Sequence, residues 1–585
     1  MTNRDIAATF EQIADLLEFQ GANPFRIRAY RSGARKIKDH STPLSKLVAE
    51  RSDLTELDGI GKDLAEKIQT LVATGKLPML DELHAAVPAS VLPLMRIPGC
   101  GPKKAAVLYQ QLGIQSLDML RAACEAGQVA ELKGFGKKTA EKLLAGIDLA
   151  AMAEQRTKWA DVDETVQELL AHLRDAPGVE QLEAAGSYRR GKQTVGDLDF
   201  LVDSADAKPV MDRLAAYHGV TETIARGDTK MSVRLASGMQ VDLRVVPRES
   251  FGAALQYFTG SKEHNVVLRG RAKQAGLRVN EWGVFRDPLD DESGDRGDSP
   301  TRGERIAGTS EEEVYAALDL PWIAPELRES RREYEWAASG QLPELIELGD
   351  LRGDLHMHTT ATDGKATLRE MADAAIARGL QYIAITDHSQ RVSMANGLNA
   401  ERLREQWRMV DKLNDELENL VVLKGIECDI LEAGGMDLPD DVLAEADWVI
   451  ASLHYGGQQP GEQIMSRMIG ALEHPAVSIV AHPTGRLINR REPYAVNVDE
   501  LIAAAAEHGK FLELNANPAR LDLDDRNCAA AKAAGVPIVI SSDAHSTMGL
   551  DVLRYGCLQA RRAGLTASDV VNTLSWQEFR HRLGR

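Results

Sequence analysis

Cysteine is scarce: five residues in 585, Cys100, Cys124, Cys428, Cys528 and Cys557. They are odd in number, scattered and without Cys-x-x-Cys spacing, so neither a disulfide framework nor a zinc ribbon is expected. No uninterrupted apolar run approaches the roughly 18 residues that span a bilayer, which excludes an obvious transmembrane helix. The opening MTNRDIAATFEQIADLL reads as an amphipathic helix with acidic residues and lacks the basic lead and small-residue cleavage site of a signal peptide. A cytoplasmic chain with no membrane partner is therefore expected. Positive charge is also short, with 69 basic against 88 acidic side chains and a net charge of -19. On its face this argues against a nucleic-acid partner, because phosphate contacts come from Lys and Arg.

With 44% hydrophobic and 27% charged residues, and a mean hydropathy of -0.27, the composition is that of an ordinary globular protein. The length allows roughly four domains of about 150 residues. The acid is unevenly spread. Residues 1–150 carry 20 basic and 18 acidic side chains, 151–340 carry 25 and 34, and 341–585 carry 24 and 36. The least acidic segment is rich in Ala, Leu and Lys at helical spacing, which predicts an all-α region. It repeats one pattern three times: LDGIGKDLAEKI (57–68), IPGCGPKKAAVL (97–108) and LKGFGKKTAEKL (132–143). Each has a hydrophobe, Gly-x-Gly, and Ala four residues after the second Gly. Such turns leave bare N–H groups at a helix start, where a phosphate can approach closely. A dinucleotide-binding fold would need a preceding strand, and none of the three has one. The segments resemble helix-hairpin-helix motifs, which grip the DNA backbone without reading sequence. That resemblance assigns Gly59, Gly61, Gly99, Gly101, Lys103, Gly134, Gly136 and Lys137 to DNA binding, with Lys104 and Lys138 beside them, and allows a bound monovalent cation.

From about residue 180, short β-branched strands alternate with helices and predict an α+β unit. LDDESGDRGDSPTRGER (289–305) reads as a long exposed loop. In GSYRRGKQTVGDLDF, Asp197 and Asp199 stand at i and i+2 of a strand and share a face. Asp242, in QVDLRVV, reads as lying on a neighbouring strand. Carboxylates converging in this way cannot all stay ionised unless divalent cations neutralise them, and two such ions can clamp an in-line phosphoryl displacement. The Gly186-Ser187 turn, with Arg189, Arg190 and Lys192, offers donors for a triphosphate.

This string, with ALQYFTGSKEHNVVLRGRA, resembles the nucleotidyltransferase signature of family-X DNA polymerases of the polymerase beta type. The resemblance implies that Asp197, Asp199 and Asp242 bind two Mg²⁺ or Mn²⁺ ions, with Asp242 activating a primer 3′-hydroxyl. It implies that Ser187, Arg190 and Gly196 bind the incoming deoxynucleoside triphosphate. Tyr257, Phe258 and Gly260 would pack on its sugar and exclude ribose, and Asn265 and Arg269 would contact the nascent base pair and template. Lys67 matches the Schiff-base lysine of lyase-active members and Tyr30 a partner in that pocket. However, Phe25, Arg26 and Asp63 replace a His and lysines, and Asp63 removes positive charge where a 5′-phosphate should lie. Weak or absent lyase activity is expected.

Nine of 14 histidines follow residue 340. Successive apolar runs end in His356 and His358, His388, Glu427, His454, His482, and Asp543 with His545, each followed by a helical stretch. With FLELNAN this makes seven strands, predicting a barrel with its site at the strands' C-terminal ends. Asp363 adds an oxygen donor, and imidazole with carboxylate suits Zn²⁺, Mn²⁺ or Fe²⁺ better than Mg²⁺. His474, His508 and His581 lack the context and read as surface residues. The string resembles the PHP (polymerase and histidinol phosphatase) domain over about 345–575. All nine expected ligands are present (His356, His358, Asp363, His388, Glu427, His454, His482, Asp543 and His545), implying up to three ions and an active phosphoesterase. Arg486 could bind a phosphate or be an ordinary loop arginine.

The expected architecture is multidomain. A lyase-like helical domain (1–90) and fingers (91–150) carry the helix-hairpin-helix motifs. A nucleotidyltransferase palm (151–250), a thumb (251–335) and a linker (336–350) follow, then a distorted (β/α)7 PHP barrel (351–585). Taken together the resemblance is to bacterial family-X DNA polymerases with a C-terminal PHP domain. It implies a monomeric gap-filling enzyme acting on gapped or primed DNA, with a 3′-5′ exonuclease and an optional abasic-site endonuclease in the barrel. A small-molecule phosphatase or pyrophosphatase, or a purely structural DNA-positioning module, remain alternatives for the barrel.

Overall fold

In a computed structural model the chain is described at residues 3–39, 44–57, 59–87, 91, 94–95, 97, 100–153, 156–286 and 301–583. Gly99 and most of the polar loop at 289–305 lie outside the described residues. Two compact units divide at Arg156. No helix among the described residues is long and apolar enough to cross a membrane.

The first unit is helical throughout its described residues. The residue between the paired glycines is buried in all three repeats, as Ile60, Cys100 and Phe135. The turn is thus pinned by one apolar side chain, while Gly59, Gly61, Gly101, Gly134 and Gly136 are exposed. Gly59 and Gly134 adopt φ of 81° and 92°, a left-handed conformation that glycine takes without a side-chain clash. Gly61 and Gly101 are the N-caps of helices Lys62–Thr74 and Pro102–Leu112, with open space where a Cβ would stand.

The second unit opens with a five-stranded sheet: β1 (Gln181–Ala184), β2 (Asp197–Asp203), β3 (Val220–Arg226), β4 (Lys230–Leu235) and β5 (Gln240–Val246). Their order is β1-β2-β5-β4-β3, with β2 and β5 parallel and the other pairs antiparallel. Period-two alternation sends Leu198, Phe200, Val241 and Leu243 into a core shared with helices Trp159–Arg174 and Ala207–Ala215. The carboxylates are left on the opposite face. A three-stranded sheet follows, β6 (Leu277–Asn280), β7 (Gly283–Arg286) and β8 (Glu304–Ala307), packed with helices Phe251–Thr259 and Lys262–Gln274.

Residues 336–350, expected to be a linker, are instead partly built into the fold. Ile346 is fully buried in the barrel core, its N–H donates to Leu565 O at 3.0 Å, and its carbonyl accepts from Arg561.

Seven parallel strands make the barrel: β9 (Gly353–Asp354), β10 (Tyr382–Ile385), β11 (Val421–Asp429), β12 (Trp448–Ser452), β13 (Ile479–Val480), β14 (Phe511–Asn515) and β15 (Ile538–Ser541). They run in chain order. One cluster joins Tyr382, Leu423, Trp448, Ile450, Ile479, Phe511 and Val539 with Phe579 of the last helix, whose ring stacks on Tyr382 at 4.7 Å. Further along the same strand faces stand Glu427 and Glu513. Apolar packing thus gives way to charge towards the strands' C-terminal ends.

The seam between β9 and β15 carries no continuous ladder and is closed by side chains. Asn572 donates to Gly353 O at 2.7 Å and Ile540 O at 2.8 Å and accepts from Ile540 N at 3.1 Å. Asp354 accepts from the backbone N–H and hydroxyl of Ser542. A buried backbone group left unpaired costs about 1–3 kcal/mol. Asn572→Ala strands three, so chemical denaturation of the barrel should show a loss of about 3 kcal/mol. A loss below about 1 kcal/mol would mean that the seam does not depend on this side chain.

Candidate active sites

In the palm sheet, Asp199 on β2 lies directly opposite Asp242 on β5 in the parallel register, with Asp197 two residues earlier on the same face. Asp242 accepts from Ser232 Oγ and from Gln240 Nε2 at 3.0 Å, with Lys230 Nζ at 3.8 Å. Burial and the neighbouring Asp197 and Asp242 push Asp199 up to about 7. Ionising all three therefore needs added positive charge. The short helix Gly186–Arg189 rests on this cluster: a Cβ on Gly186 would stand 2.2 Å from Asp199 Oδ2, and Gly186 adopts φ +61°. Ser187 Oγ is buried with no hydrogen-bond partner, as a donor awaiting a ligand would be.

Other expected nucleotide contacts are partly engaged within the protein. Arg190 donates Nε to Glu329 at 3.0 Å and Nη1 to Thr259 O, beneath Gly260. Gly196 directly precedes β2. The Arg244 guanidinium lies 4.3 Å from the centroid of the Phe258 ring, and Tyr257 meets Phe258 edge-on at 5.2 Å. Asn265 is buried, donating to Tyr257 O at 2.7 Å and accepting from Gln256 at 2.8 Å. Its amide therefore supports the Tyr257 backbone. Arg269 is exposed, its Nε on Asn265 O at 3.2 Å. In the first unit, Lys67 pairs with Asp63, which also accepts from Tyr30 OH at 3.3 Å. Burial alone would lower the lysine, but these partners outweigh it and raise it.

The barrel brings its nine expected ligands together. Among the described residues three overlapping groups have donor atoms all within 4.8 Å: His358, Asp363, His388 and His545; His356, His358 and Asp543; and His388, Glu427 and His454. His482 Nε2 adds to the Glu427 carboxylate at 3.1 Å. Glu427 is the hub, with His388 Nδ1 at 2.8 Å and His356, His358 and His454 at 3.5–3.6 Å. Burial would raise Glu427, but the surrounding imidazoles hold it well below the carboxylate range. Burial would lower His388, yet Glu427 and Asp363 push it up to about 10. His356 Nε2 and both nitrogens of His358 are buried without hydrogen-bond partners. Buried polar atoms in native proteins are almost always paired, and nitrogen and oxygen donors aimed at common points fit divalent cations.

Several supporting residues were not singled out from the sequence. Glu513 holds His356 Nδ1 at 2.7 Å and accepts the His482 N–H. Asp429 holds His454 Nδ1 at 3.2 Å and its N–H at 2.9 Å. Asp387 is fully buried, fixes the loop bearing Asp363 through Thr359 and Thr362, and is itself held by Gln406 of the helix Ala400–Glu416. The available signal was an acidic residue inside an apolar strand, as in FLELN. Arg486, a candidate phosphate ligand, donates instead to the carbonyls of Arg520 and Leu521.

These geometries define a nucleotidyltransferase-type palm and thumb followed by a PHP-type metal barrel. Family models agree: a helix-hairpin-helix domain matches residues 1–77, a SAM-like helix-hairpin-helix tandem 91–148, DNA polymerase beta palm 156–238, DNA polymerase beta thumb 254–329 and the PHP domain 354–517. Over its whole length the chain is 41% identical to the whole of the DNA polymerase/3'-5' exonuclease PolX of Bacillus subtilis. A probable phosphatase of Thermoanaerobacter sp. is 31% identical over 38% of this chain and 89% of its own length. Rat DNA polymerase lambda is 26% identical over 56% of each. The chain belongs to the bacterial PolX family of family-X DNA polymerases with a C-terminal PHP domain.

Removing a carboxylate that orients a metal-binding imidazole typically weakens affinity about 10–100-fold. Glu513→Ala should do so for Mn²⁺ or Zn²⁺, read by titration calorimetry. Unchanged affinity would show that Glu513 serves packing alone.

Proposed function

We propose that the chain is a template-directed DNA polymerase that fills short gaps, and that its barrel removes nucleotides from DNA 3′ ends. The observation that carries this reading is the pairing, in one chain, of a carboxylate cluster under an unpartnered serine hydroxyl with a ligand-rich barrel. Two separate hydrolytic and synthetic centres follow from it.

At the palm, Asp197, Asp199 and Asp242 would hold Mg²⁺ or Mn²⁺, which would supply charge neutralisation and polarise the transferring phosphate. The Asp242 carboxylate takes the proton of the primer 3′-hydroxyl, while Ser187 Oγ donates to a phosphate oxygen of the incoming deoxynucleoside triphosphate. Arg190 adds positive charge beside it, and the Phe258 ring, flanked by Arg244, offers a flat surface to the sugar. The helix-hairpin-helix turns hold the DNA backbone by amide groups, so the contact needs few basic residues.

At the barrel, the nine ligands would hold Mn²⁺ or Zn²⁺, up to three ions, supplying an activated water at neutral pH. Glu513 accepts from His356 Nδ1, which leaves Nε2 as the coordinating nitrogen. Abasic-site cleavage would be a further phosphodiester hydrolysis at this centre. A second reading has support from the phosphatases that match over the barrel region: the barrel hydrolyses a small phosphate ester or pyrophosphate. The chain's first helical unit is read as DNA-binding without lyase chemistry, since Lys67 stays protonated beside Asp63.

A gapped duplex with a labelled primer tests the reading. Asp197→Ala with Asp199→Ala should lower incorporation by at least about 10³-fold and spare 3′ degradation. His356→Ala with His358→Ala should do the reverse. Parallel loss of both activities in either variant would argue for one shared centre. If the barrel cleaved pyrophosphate or a phosphomonoester but left a 3′-ended strand intact, the phosphatase reading would replace the nuclease. Borohydride on a 5′-deoxyribose phosphate end should trap no Lys67-dependent adduct, and a trapped adduct would restore the lyase role.

Asp199 also predicts a trade between stability and function. Because burial and the neighbouring carboxylates push its pKa up to about 7, the folded state is penalised as pH rises from 3.8 through about 7, fully above that. Asp199→Asn should raise the thermal midpoint at pH 8 in chelator while eliminating incorporation. A lowered midpoint would show that the carboxylates do not strain the sheet.

A further inference from the structure

Helix Leu553–Arg562 of the barrel has two packed faces. Leu553, Cys557 and Ala560 lie in the barrel core, and a Cβ on Gly556 would sit 2.6 Å from Ile540. The other face meets the palm and thumb. Arg554 pairs with Asp163 at 2.9 Å, the Tyr555 ring meets Trp159 edge-on at 5.8 Å, and Arg561 pairs with Glu326 at 2.7 Å.

At the centre of this face, two side chains one helical turn apart hold consecutive carbonyls of the palm turn that carries Ser187. Gln559 Nε2 donates to Gly191 O at 2.9 Å and Arg562 Nη1 to Arg190 O at 2.6 Å. Both donors are buried. Arg562 is itself fixed by Glu329 at 3.1 Å and Asp525 at 2.9 Å, and Glu329 also takes Arg190 and Lys192. The other ends of the same two peptide units close the turn: Gly191 N donates to Tyr188 O at 2.9 Å and Lys192 N to Ser187 O at 3.1 Å. Each peptide plane is therefore held at both its C=O and its N–H. Leu558 presses on Gly191 so closely that a Cβ there would stand 2.5 Å from it.

We propose that Gln559 and Arg562 are positioning residues for the palm centre, fixing the turn 186–191 so that Ser187 and Arg190 meet the triphosphate in a preformed geometry. The proposal rests on the reading that this turn binds the incoming nucleotide. It makes the barrel domain a structural part of the polymerase centre, while the barrel's own ligands are held independently of the palm.

The test is Gln559→Met in the full chain, which keeps bulk and removes the donor. Nucleotide titration on gapped DNA should show KM for the deoxynucleoside triphosphate raised about fivefold, the equivalent of one hydrogen bond. The kcat should stay within about twofold. Hydrolysis of a 3′ end should not change, and the thermal midpoint should fall only slightly, by the loss of the one buried donor to Gly191 O. Arg562→Lys, which keeps the charge facing Glu329 and Asp525 but not the guanidinium contact with Arg190 O, should raise the same KM and decides the matter if Gln559→Met folds poorly. An unchanged KM in a folded variant overturns the proposal, as does a parallel fall in incorporation and 3′ hydrolysis, which would mean that the helix serves only the barrel fold. If Asp197→Asn still incorporated nucleotide, the underlying reading of the palm would fail instead, whatever Gln559 does.

Discussion

A carboxylate buried among others of its kind cannot stay ionised without a positive partner, and the second unit is organised around that constraint. Two kinds of partner appear. Where a carboxylate serves the framework, arginine answers it: Glu311 accepts from both Arg189 and Arg328, and Glu329 from Arg190, Lys192 and Arg562. These acids are held well below the ordinary range, by guanidinium groups strong enough to overcome burial. At the two candidate centres, cations do not dominate in the same way: Arg520 stands 3.8 Å from Asp543, but Asp199 and Glu427 make no arginine ion pair among the described residues. Asp199 faces only like charge and distant cations and is pushed up to about 7, while Glu427 is ringed by titratable imidazoles with nitrogens left unpaired. The distinction marks which acids are available to a metal.

Most of this was legible from the residues, and the reason lies in local periodicity. Asp197 and Asp199 had to share a face because strands alternate, and the histidines had to cluster because parallel strands in a barrel end at one mouth. The all-α first segment, the seven-strand barrel and the palm sheet follow the hydrophobic pattern for the same reason. What stayed hidden depends on contacts between residues far apart in the chain. Nothing near Asn572 announces that it closes a seam between strands more than 180 residues apart. The stretch 336–350 looked like a linker because its charges, Gly340 and Pro343 say so locally. Its anchoring through Ile346 comes from a barrel core assembled elsewhere.

The negative total charge is the clearest case of a correct number with a misleading first implication. Much of the acid in the second unit is paired with arginine or gathered in the palm carboxylate cluster and the histidine-rich groups of the barrel. The first unit, where charge is nearly balanced, presents glycine-turn amides whose buried central residue leaves the backbone outward. Amide groups at a helix N-terminus attract phosphate by partial charge, so a basic surface is not a requirement. Affinity of this kind is modest and salt-sensitive. It suits a protein that acts at gaps and ends better than one that tracks intact duplex.

The palm turn carries the argument one step further. Its glycines invite the explanation that a phosphate needs room, yet both are hemmed in by protein. Gly186 has Asp199 where its side chain would be, and Gly191 has Leu558. Both adopt left-handed φ, so space and conformation independently demand glycine. One constraint comes from the palm carboxylate Asp199 and the other from a barrel helix more than 360 residues away in sequence. A turn held from both sides loses little freedom on binding nucleotide, which is how preorganisation lowers the cost of a polar contact. The same arrangement explains why palm and barrel, which have separate chemistries and separate ligands, share one compact unit: the barrel supplies the wall against which the polymerase centre is shaped.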